Sequence, residues 1–288
     1  MANSEKAARF RRLHDARPLV LPNAWDSASA RVIELAGAPA IATTSAGVSW
    51  ALGKGDGQRL DRTEMMEAVR RIVDAVTVPV TADIEGGYGD GTADDVALSV
   101  RLVTEAGAVG INLEDSIGGT LLPLERQAER ILAARDSASA EGIGLFINAR
   151  TDGYLFGAGA AEARFDDTVR RAAAYLAAGA DGVFVPGVVD AGTIGRLVAA
   201  IHGPVNIMAG PGSPNTAELA RLGVVRVSVG PAIAQAALET VRRAARELLE
   251  SGTYGTLEAA LPFPEANGIF ARSTRPSSRP YPSPAGAT

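Results

Sequence analysis

The sequence predicts an α/β chain folded as one (β/α)8 barrel of the TIM type, extended at its C-terminus by helices. Three observations carry the prediction. Short Val- and Ile-rich runs recur about every 20 to 35 residues along the 288-residue chain, and such runs bounded by turns read as buried strands. Each is followed by a longer segment with helical periodicity. Helix endings of the form Ala-Gly-Ala at 36–38, 106–108 and 178–180 lead directly into the next run, as a left-handed glycine does when it stops a helix. An open doubly wound sheet is the competing arrangement, but it usually carries a Gly-rich phosphate loop after its first strand. Here "LPNAWDSASA" follows instead.

The elements follow in order. Strands are predicted at 19–24, 40–45, 79–85, 110–115, 145–151, 182–187, 204–209 and 226–230. The intervening helices show an apolar stripe: in "DDVALSVRLVTEAGA", Val96, Val100 and Val103 share one face, Asp94 and Asp95 sit in the first turn and Gly107 stops it. "DTVRRAAAYLAAGADG" repeats the scheme. Short connections and right-handed crossovers then place every helix outside a closed barrel. The barrel is assigned to 1–250 and a helical extension to 251–271, where "YGTLEAAL" and "PFPEANGIFAR" carry apolar residues in need of a partner surface. Residues 272–288, rich in Pro, Ser and Gly, are expected to form a flexible tail.

Composition narrows the function. The chain is 47% hydrophobic and 21% charged, the balance of a globular protein. A net charge of -5 without a run of Lys or Arg argues against nucleic acid or an anionic membrane as the main partner. A small molecule is the expected partner. The chain lacks any membrane-length apolar stretch and starts with a polar segment, so a cytoplasmic location is expected. The absence of cysteine removes thiolate metal sites and cysteine nucleophiles. The two histidines, His14 and His202, lie before the first and seventh strands, away from the catalytic end, so a Ser-His-Asp or Cys-His mechanism is not expected.

In such a barrel, function sits at the C-terminal strand ends, and alternate residues share a face. Thr81, Asp83 and Glu85 fall on one face of the third strand, Asn112 and Glu114 on that of the fourth, Asn148 and Arg150 on that of the fifth, and Asn206 on that of the seventh. The apolar residues between them face the helices. Asp83, Glu85 and Glu114 are thus expected to converge beside one inward cation, Arg150. Buried carboxylates lacking counter-charge take up protons unless a divalent ion holds them ionised. An oxygen-only ligand set suits Mg²⁺ or Mn²⁺, and a metal-chelating carboxylate substrate follows. Arg150 offers a planar fork to a substrate carboxylate or phosphonate, or an internal ion pair to Glu114 or Glu85. "ATTSAG" offers Thr44, Ser45, Ala46 and their backbone N–H groups to an anionic oxygen. The glycines after Glu85 permit a tight loop in which Tyr88 closes on a ligand or packs.

"TADIEGGYG", "INLEDS" and "INARTDG", on successive strands, resemble the isocitrate lyase/phosphoenolpyruvate mutase superfamily over about residues 15–245. The resemblance implies that Asp83 binds Mg²⁺ directly, that Glu85 and Glu114 hold it through water, and that Arg150 binds the substrate carboxylate. It places Thr44, Ser45 and Ala46 at the other anionic end of the substrate and Asp56 near the site. It implies chemistry on 2-oxo or 2-hydroxy acids through an enolate, and tetramers or dimers that exchange C-terminal helices. Isocitrate and methylisocitrate lyases carry a Cys-containing loop after the fourth strand, where this chain has "SIGGTLLPLERQ"; the phosphonate mutase has a His where this chain has Pro186. The expected activity is therefore Mg²⁺-dependent C–C cleavage of an oxaloacetate-like or malate-like acid, with Glu114, Arg150 and Tyr88 as candidate catalytic residues and Asn206 as a substrate contact. The alternatives are a phosphonopyruvate hydrolase or carboxyphosphonate mutase acting on P–C bonds, and a barrel that binds an oxo-acid without turnover.

Overall fold

The computed structural model describes residues 3–15, 18–157 and 159–270. The strands of its main sheet are β1 (Leu19–Leu21), β2 (Asn23–Ala24), β3 (Ile41–Thr43), β4 (Val80–Asp83), β5 (Gly110–Glu114), β8 (Phe146–Arg150), β9 (Gly182–Val185), β10 (Val205–Met208) and β11 (Arg226–Ser228), with β6 (Ser116–Ile117) and β7 (Thr120–Leu121) forming a separate hairpin. The order β1-β11-β10-β9-β8-β5-β4-β3-β2 is parallel throughout. Its two ends, β1 and β2, adjoin across Pro22, so the sheet closes on itself. The first predicted strand, 19–24, is therefore one stave split in two: Pro22 has no N–H to give to a ladder, and the chain pairs with β11 before it and with β3 after it.

The helices of the described residues are α1 (Asn3–Leu13), α2 (Ser27–Leu35), α3 (Ser45–Ala51), α4 (Arg62–Ala75), α5 (Ala93–Glu105), α6 (Leu124–Ala140), α7 (Ala161–Ala177), α8 (Ala191–Ala200), α9 (Thr216–Arg221), α10 (Ala232–Ser251) and α11 (Phe263–Phe270). Asp26, Asp61 and Thr92 close capping boxes at the starts of α2, α4 and α5, satisfying backbone donors that no carbonyl can reach. The stripe Val96, Val100 and Val103 is fully buried between α5 and the sheet. Gly37, Gly107 and Gly179 all have φ between 95 and 105°, so the three Ala-Gly-Ala sites end helices as expected. At Gly107 (φ +95°) an added Cβ would also lie 2.8 Å from Val73 Cγ1. Gly107→Ala is expected to lower stability by about 1–3 kcal/mol, read as a shift in the urea midpoint at unchanged slope.

The N-terminal segment, polar in the sequence, folds as helix α1 with a buried apolar face. Ala7 and Phe10 of α1 are buried with Leu19, Leu21, Val109 and Phe146 at the N-terminal end of the barrel. His14, also buried, stacks on the Phe146 ring at 4.0 Å. Burial, with the Arg226 charge nearby, lowers His14 to about 4, so it serves as a neutral aromatic plug far from the strand C-termini. Residues 251–270 form a short 3₁₀ turn (Gly255–Leu257) and α11. The remainder of the predicted extension, residue 271, and the predicted tail, 272–288, lie outside the described residues. Among the described residues no helix is long and apolar enough to cross a membrane.

Candidate active site

The C-terminal ends of the staves enclose a cavity of about 130 Å³, lined by polar residues including Asn23, Thr44, Ser45, Asp56, Asp83, Asn112 and Arg150, and on the apolar side by Leu155, Phe184, Pro186 and Met208. Ala46 also lines it. The β4 to β5 register sets Asp83 beside Asn112, and the β5 to β8 register sets Asn112 beside Asn148 and Glu114 beside Arg150. Period-two alternation thus delivers Asp83, Asn112, Glu114, Asn148 and Arg150 to the barrel interior, as the sequence implies.

Asp83 is held chiefly by Ser45. Its Oδ2 accepts from the Ser45 backbone N–H at 3.2 Å and from the Ser45 hydroxyl at 2.9 Å. The "ATTSAG" segment is not an open turn: Thr44 is the N-cap of α3, and Ser45 and Ala46 begin that helix. Asp56 also lines the cavity, within reach of Ser45, and burial together with the Asp83 charge raises its pKa.

Arg150 sits between two acids. Its Nη1 is 2.8 Å from Glu114 Oε2 and its Nε 2.6 Å from Asp152 Oδ1. Burial opposes the charge on Arg150, but Glu114, Asp152 and Asp83 outweigh it and hold the guanidinium protonated. Burial pushes Glu114 well above the usual carboxylate range; Arg150 offsets this only in part, while Asp152, Asp83 and Glu85 add to it. The internal ion pair weighed for Arg150 therefore forms with Glu114, and Asp152 is a partner that sequence reasoning missed. Asp152 is fully buried and also accepts from Ser116 Oγ at 2.5 Å. Its place two residues beyond Arg150 was the available signal.

Glu85 corrects the alternation. The third strand ends at Asp83 rather than 85, and Glu85 adopts a left-handed backbone, φ 50°, which breaks the period-two rule. Its carboxylate accepts from the Gln58 backbone N–H and from the Tyr88 hydroxyl, the latter at 3.3 Å. Tyr88, expected at the ligand, is instead 2% exposed within the apolar core, where its ring packs and its hydroxyl supports Glu85. Neither residue is among those lining the cavity. Arg130 donates to the Gly86 carbonyl and so steadies this loop from behind. Gln58 and Arg130 carry no periodic signal in the sequence, because each reaches the loop from a distant segment.

Asn206, expected to touch substrate, lies one layer lower. Its Oδ1 accepts from Asn148 Nδ2 at 3.0 Å, and Asn112 is the amide that lines the cavity. Arg150 is also not the sole inward cation: Arg226 lies inside the barrel, 1% exposed, and donates from Nη2 to Asn112 Oδ1 at 3.3 Å.

Burial, then the Asp83 charge, raises Glu85 from 4.5 to about 7. Between those values the folded chain binds a proton that the unfolded chain releases, so this residue's contribution makes stability fall as pH rises from about 4.5 to about 7. Melting temperatures of metal-free protein should accordingly drop between about pH 5 and about pH 8, and Glu85→Gln should flatten that drop.

After β5, where the resemblance set a Cys-containing loop in the lyases against "SIGGTLLPLERQ" here, the chain makes the β6–β7 hairpin. Gly118 (φ 59°) and Gly119 (φ 78°) form its turn, the left-handed pair that a two-residue turn requires.

Comparison with known proteins agrees with this geometry. Residues 10–249 match the family model described as phosphoenolpyruvate phosphomutase. A structure from Burkholderia cenocepacia J2315, provisionally described as a phosphonomutase, is 46% identical with a TM-score of 0.81, covering 84% of this chain and 99% of its own. The oxaloacetate decarboxylase of Bradyrhizobium diazoefficiens is 32% identical over 78% of each chain. The 2,3-dimethylmalate lyase of Eubacterium barkeri is 29% identical over 92% of this chain and 93% of its own. With its barrel, its acid-lined cavity and these relatives among lyases and mutases, the chain belongs to the phosphoenolpyruvate mutase family, within the PEP mutase/isocitrate lyase superfamily of enzymes.

Proposed function

We propose that the protein is a Mg²⁺-dependent lyase that cleaves a C–C bond of a small 2-oxo or 2-hydroxy acid, with an oxaloacetate-like acid as the favoured substrate. The observation that carries the reading is a cavity holding Asp83, Asp56 and Arg150 together, with Glu114 behind Arg150 and Glu85 behind Asp83. The similarity to an oxaloacetate decarboxylase supports the substrate class.

The acids fit a hard divalent cation. All the side chains concerned offer oxygen, and Asp56, Glu85 and Glu114 are held above their ordinary range by burial and by the charge of neighbouring acids, Asp83 among them in each case, the signature of a site short of positive charge. Among the described residues no three His, Cys, Asp or Glu side chains group closely enough to cage an ion alone. Mg²⁺ keeps several waters and takes only one or two carboxylates directly, so it does not require such a cage. Asp83 would hold it directly, with Glu85 and Glu114 reaching it through water. When bound, the ion supplies positive charge that polarises a keto oxygen and favours enolate formation.

The chain's own residues do the rest. Arg150, locked between Glu114 and Asp152, presents a pre-oriented guanidinium to a substrate carboxylate. Thr44, Ser45 and Ala46 also line the cavity, and Leu155, Phe184 and Pro186 give it an apolar side that helps exclude water. In oxaloacetate the C3–C4 bond breaks, CO₂ leaves with C4, the electron pair enters the C2–C3 enolate, and C3 then takes a proton to give pyruvate. Purified protein supplied with oxaloacetate and Mg²⁺ should release pyruvate, and EDTA should stop it. Silence across oxaloacetate and malate-like acids would refute the reading.

The similarity to a provisional phosphonomutase favours a second reading, cleavage or rearrangement of a P–C bond. Phosphate release from phosphonopyruvate, without pyruvate release from oxaloacetate, would select it.

We further propose that a second copy of the chain covers α10 and the segment after it. Leu238, Val241, Leu249 and Phe263 are more than half exposed there, an apolar surface that monomers seldom leave open. Light scattering should return a dimer or tetramer mass, and a monomer mass would refute this.

A further inference from the structure

Beneath the cavity runs a row of buried amides. Asn148 Nδ2 donates to Asn112 Oδ1 at 2.9 Å and to Asn206 Oδ1 at 3.0 Å. Asn206 Nδ2 donates to Ser228 Oγ and to the Arg226 carbonyl, both at 3.2 Å. The Arg226 side chain ends the row, donating from Nη2 to Asn112 Oδ1.

The arginine decides which way every amide faces. A guanidinium has donors and no acceptor, so the Asn112 atom turned toward it has to be the oxygen. The reversed amide would set N–H against N–H at both Arg226 and Asn148. With Oδ1 of Asn112 engaged downward, Asn148 must offer its nitrogen, and Asn206 must then offer its oxygen to Asn148. The flip state of three amides thus follows from one charged residue. Among the described residues, Nε and Nη1 of Arg226 have no hydrogen-bond partner. A fully buried cation so sparsely paired is costly to stability, and its return is sought in the cavity above it.

We infer that Asn112 presents its Nδ2 amide to the cavity as a hydrogen-bond donor for an anionic ligand oxygen, and that Arg226 is the positioning residue that fixes this orientation from below. Asn112 lines the cavity and keeps 6% of its surface exposed. Two of the neutral side chains beside it are already engaged. Ser45 spends both its N–H and its hydroxyl on Asp83. Asn23 donates to the Thr43 carbonyl and accepts from the Val229 N–H. Asn112 is therefore a neutral donor on a floor otherwise dominated by acids, placed to meet the oxygen on which negative charge gathers. The inference deepens the oxo-acid reading given above and rests on it.

Oxalate, the planar isostere of the pyruvate enolate, is the probe, titrated calorimetrically with saturating Mg²⁺. Asn112→Leu, which removes the donor without adding charge, and Asn112→Asp, which stays paired with Arg226, should each weaken oxalate binding about 10- to 100-fold. Arg226→Lys, again donor-only, should stay within about 3-fold, whereas Arg226→Gln lets the row turn over and should bind about tenfold more weakly. Melting temperature is recorded for each, and Asn112→Asp should keep that of the parent. Oxalate binding unchanged in Asn112→Leu would overturn the inference, even if Asn112→Asp lost it through charge repulsion. So would Arg226→Lys and Arg226→Gln behaving alike. If the parent protein takes up no oxalate with Mg²⁺, the oxo-acid reading falls too, a result distinct from failure of the amide alone.

Discussion

Asp83→Asn is expected to lower Mg²⁺-dependent turnover of oxaloacetate by about 10³-fold while the protein stays folded. The side chain keeps its size, and its remaining oxygen can still accept from Ser45, whose hydroxyl and backbone N–H now both point at Asp83 Oδ2. What is lost is the negative charge that would hold the cation and a second oxygen to share with it. Calorimetric Mg²⁺ titration should show the affinity lost in parallel with activity. Turnover that survives the substitution within about tenfold would mean that Asp83 does not hold the ion. Asp56→Asn should cost less: its carboxyl is raised by burial and by Asp83, which places it as a neighbour of the charge centre rather than its anchor.

Arg150→Met is expected to be the most damaging change for stability. It strips Glu114 and Asp152 of the guanidinium that lies 2.8 and 2.6 Å from them. Breaking a buried pair by removing one partner costs about 3–5 kcal/mol, and here two acids share the partner. Urea unfolding should register the loss. Adding Glu114→Gln to Arg150→Met should restore part of it, because the uncompensated acid is then neutral; the two changes lie in direct contact and will not add. Activity should not return with stability, since the double variant still lacks the carboxylate clamp. Recovery of both would show that Arg150 is purely structural.

The legible part of the fold was the part governed by period. Strands β5, β8 and β10 keep their alternation to the end, so Asn112, Glu114, Asn148, Arg150 and Asn206 face inward as read. Helix stops at Gly37, Gly107 and Gly179 were equally plain, because only the left-handed backbone fits there. The reading failed where local backbone broke the period. Glu85 lies past the end of its strand, and its left-handed φ turns the carboxylate toward Gln58, a contact between irregular segments that no pattern announces. Pro22 split a stave that hydropathy showed as continuous. Arg226 opens a strand, where an arginine reads as a flanking surface charge; the same alternation that sets Ser228 inward sets Arg226 inside too. Phe10 buries itself only because α1 seats against the barrel's N-terminal end, a tertiary fact with no local trace. The depth of the side chains also escaped the sequence. Asn206 and Asn112 share an inward direction, yet the staves are staggered in a closed barrel, so one amide lines the cavity and the other lies beneath it.

The most direct test is an anomalous difference map from crystals soaked with Mn²⁺ and oxalate. A single strong peak within coordination distance of Asp83, about 2.2 Å, with Glu85 and Glu114 approached through ordered water and oxalate completing the shell above Asn112, is the predicted result. No peak at Asp83, or a metal bound elsewhere while Asp83 keeps only its hydrogen bonds to the protein, would contradict the account.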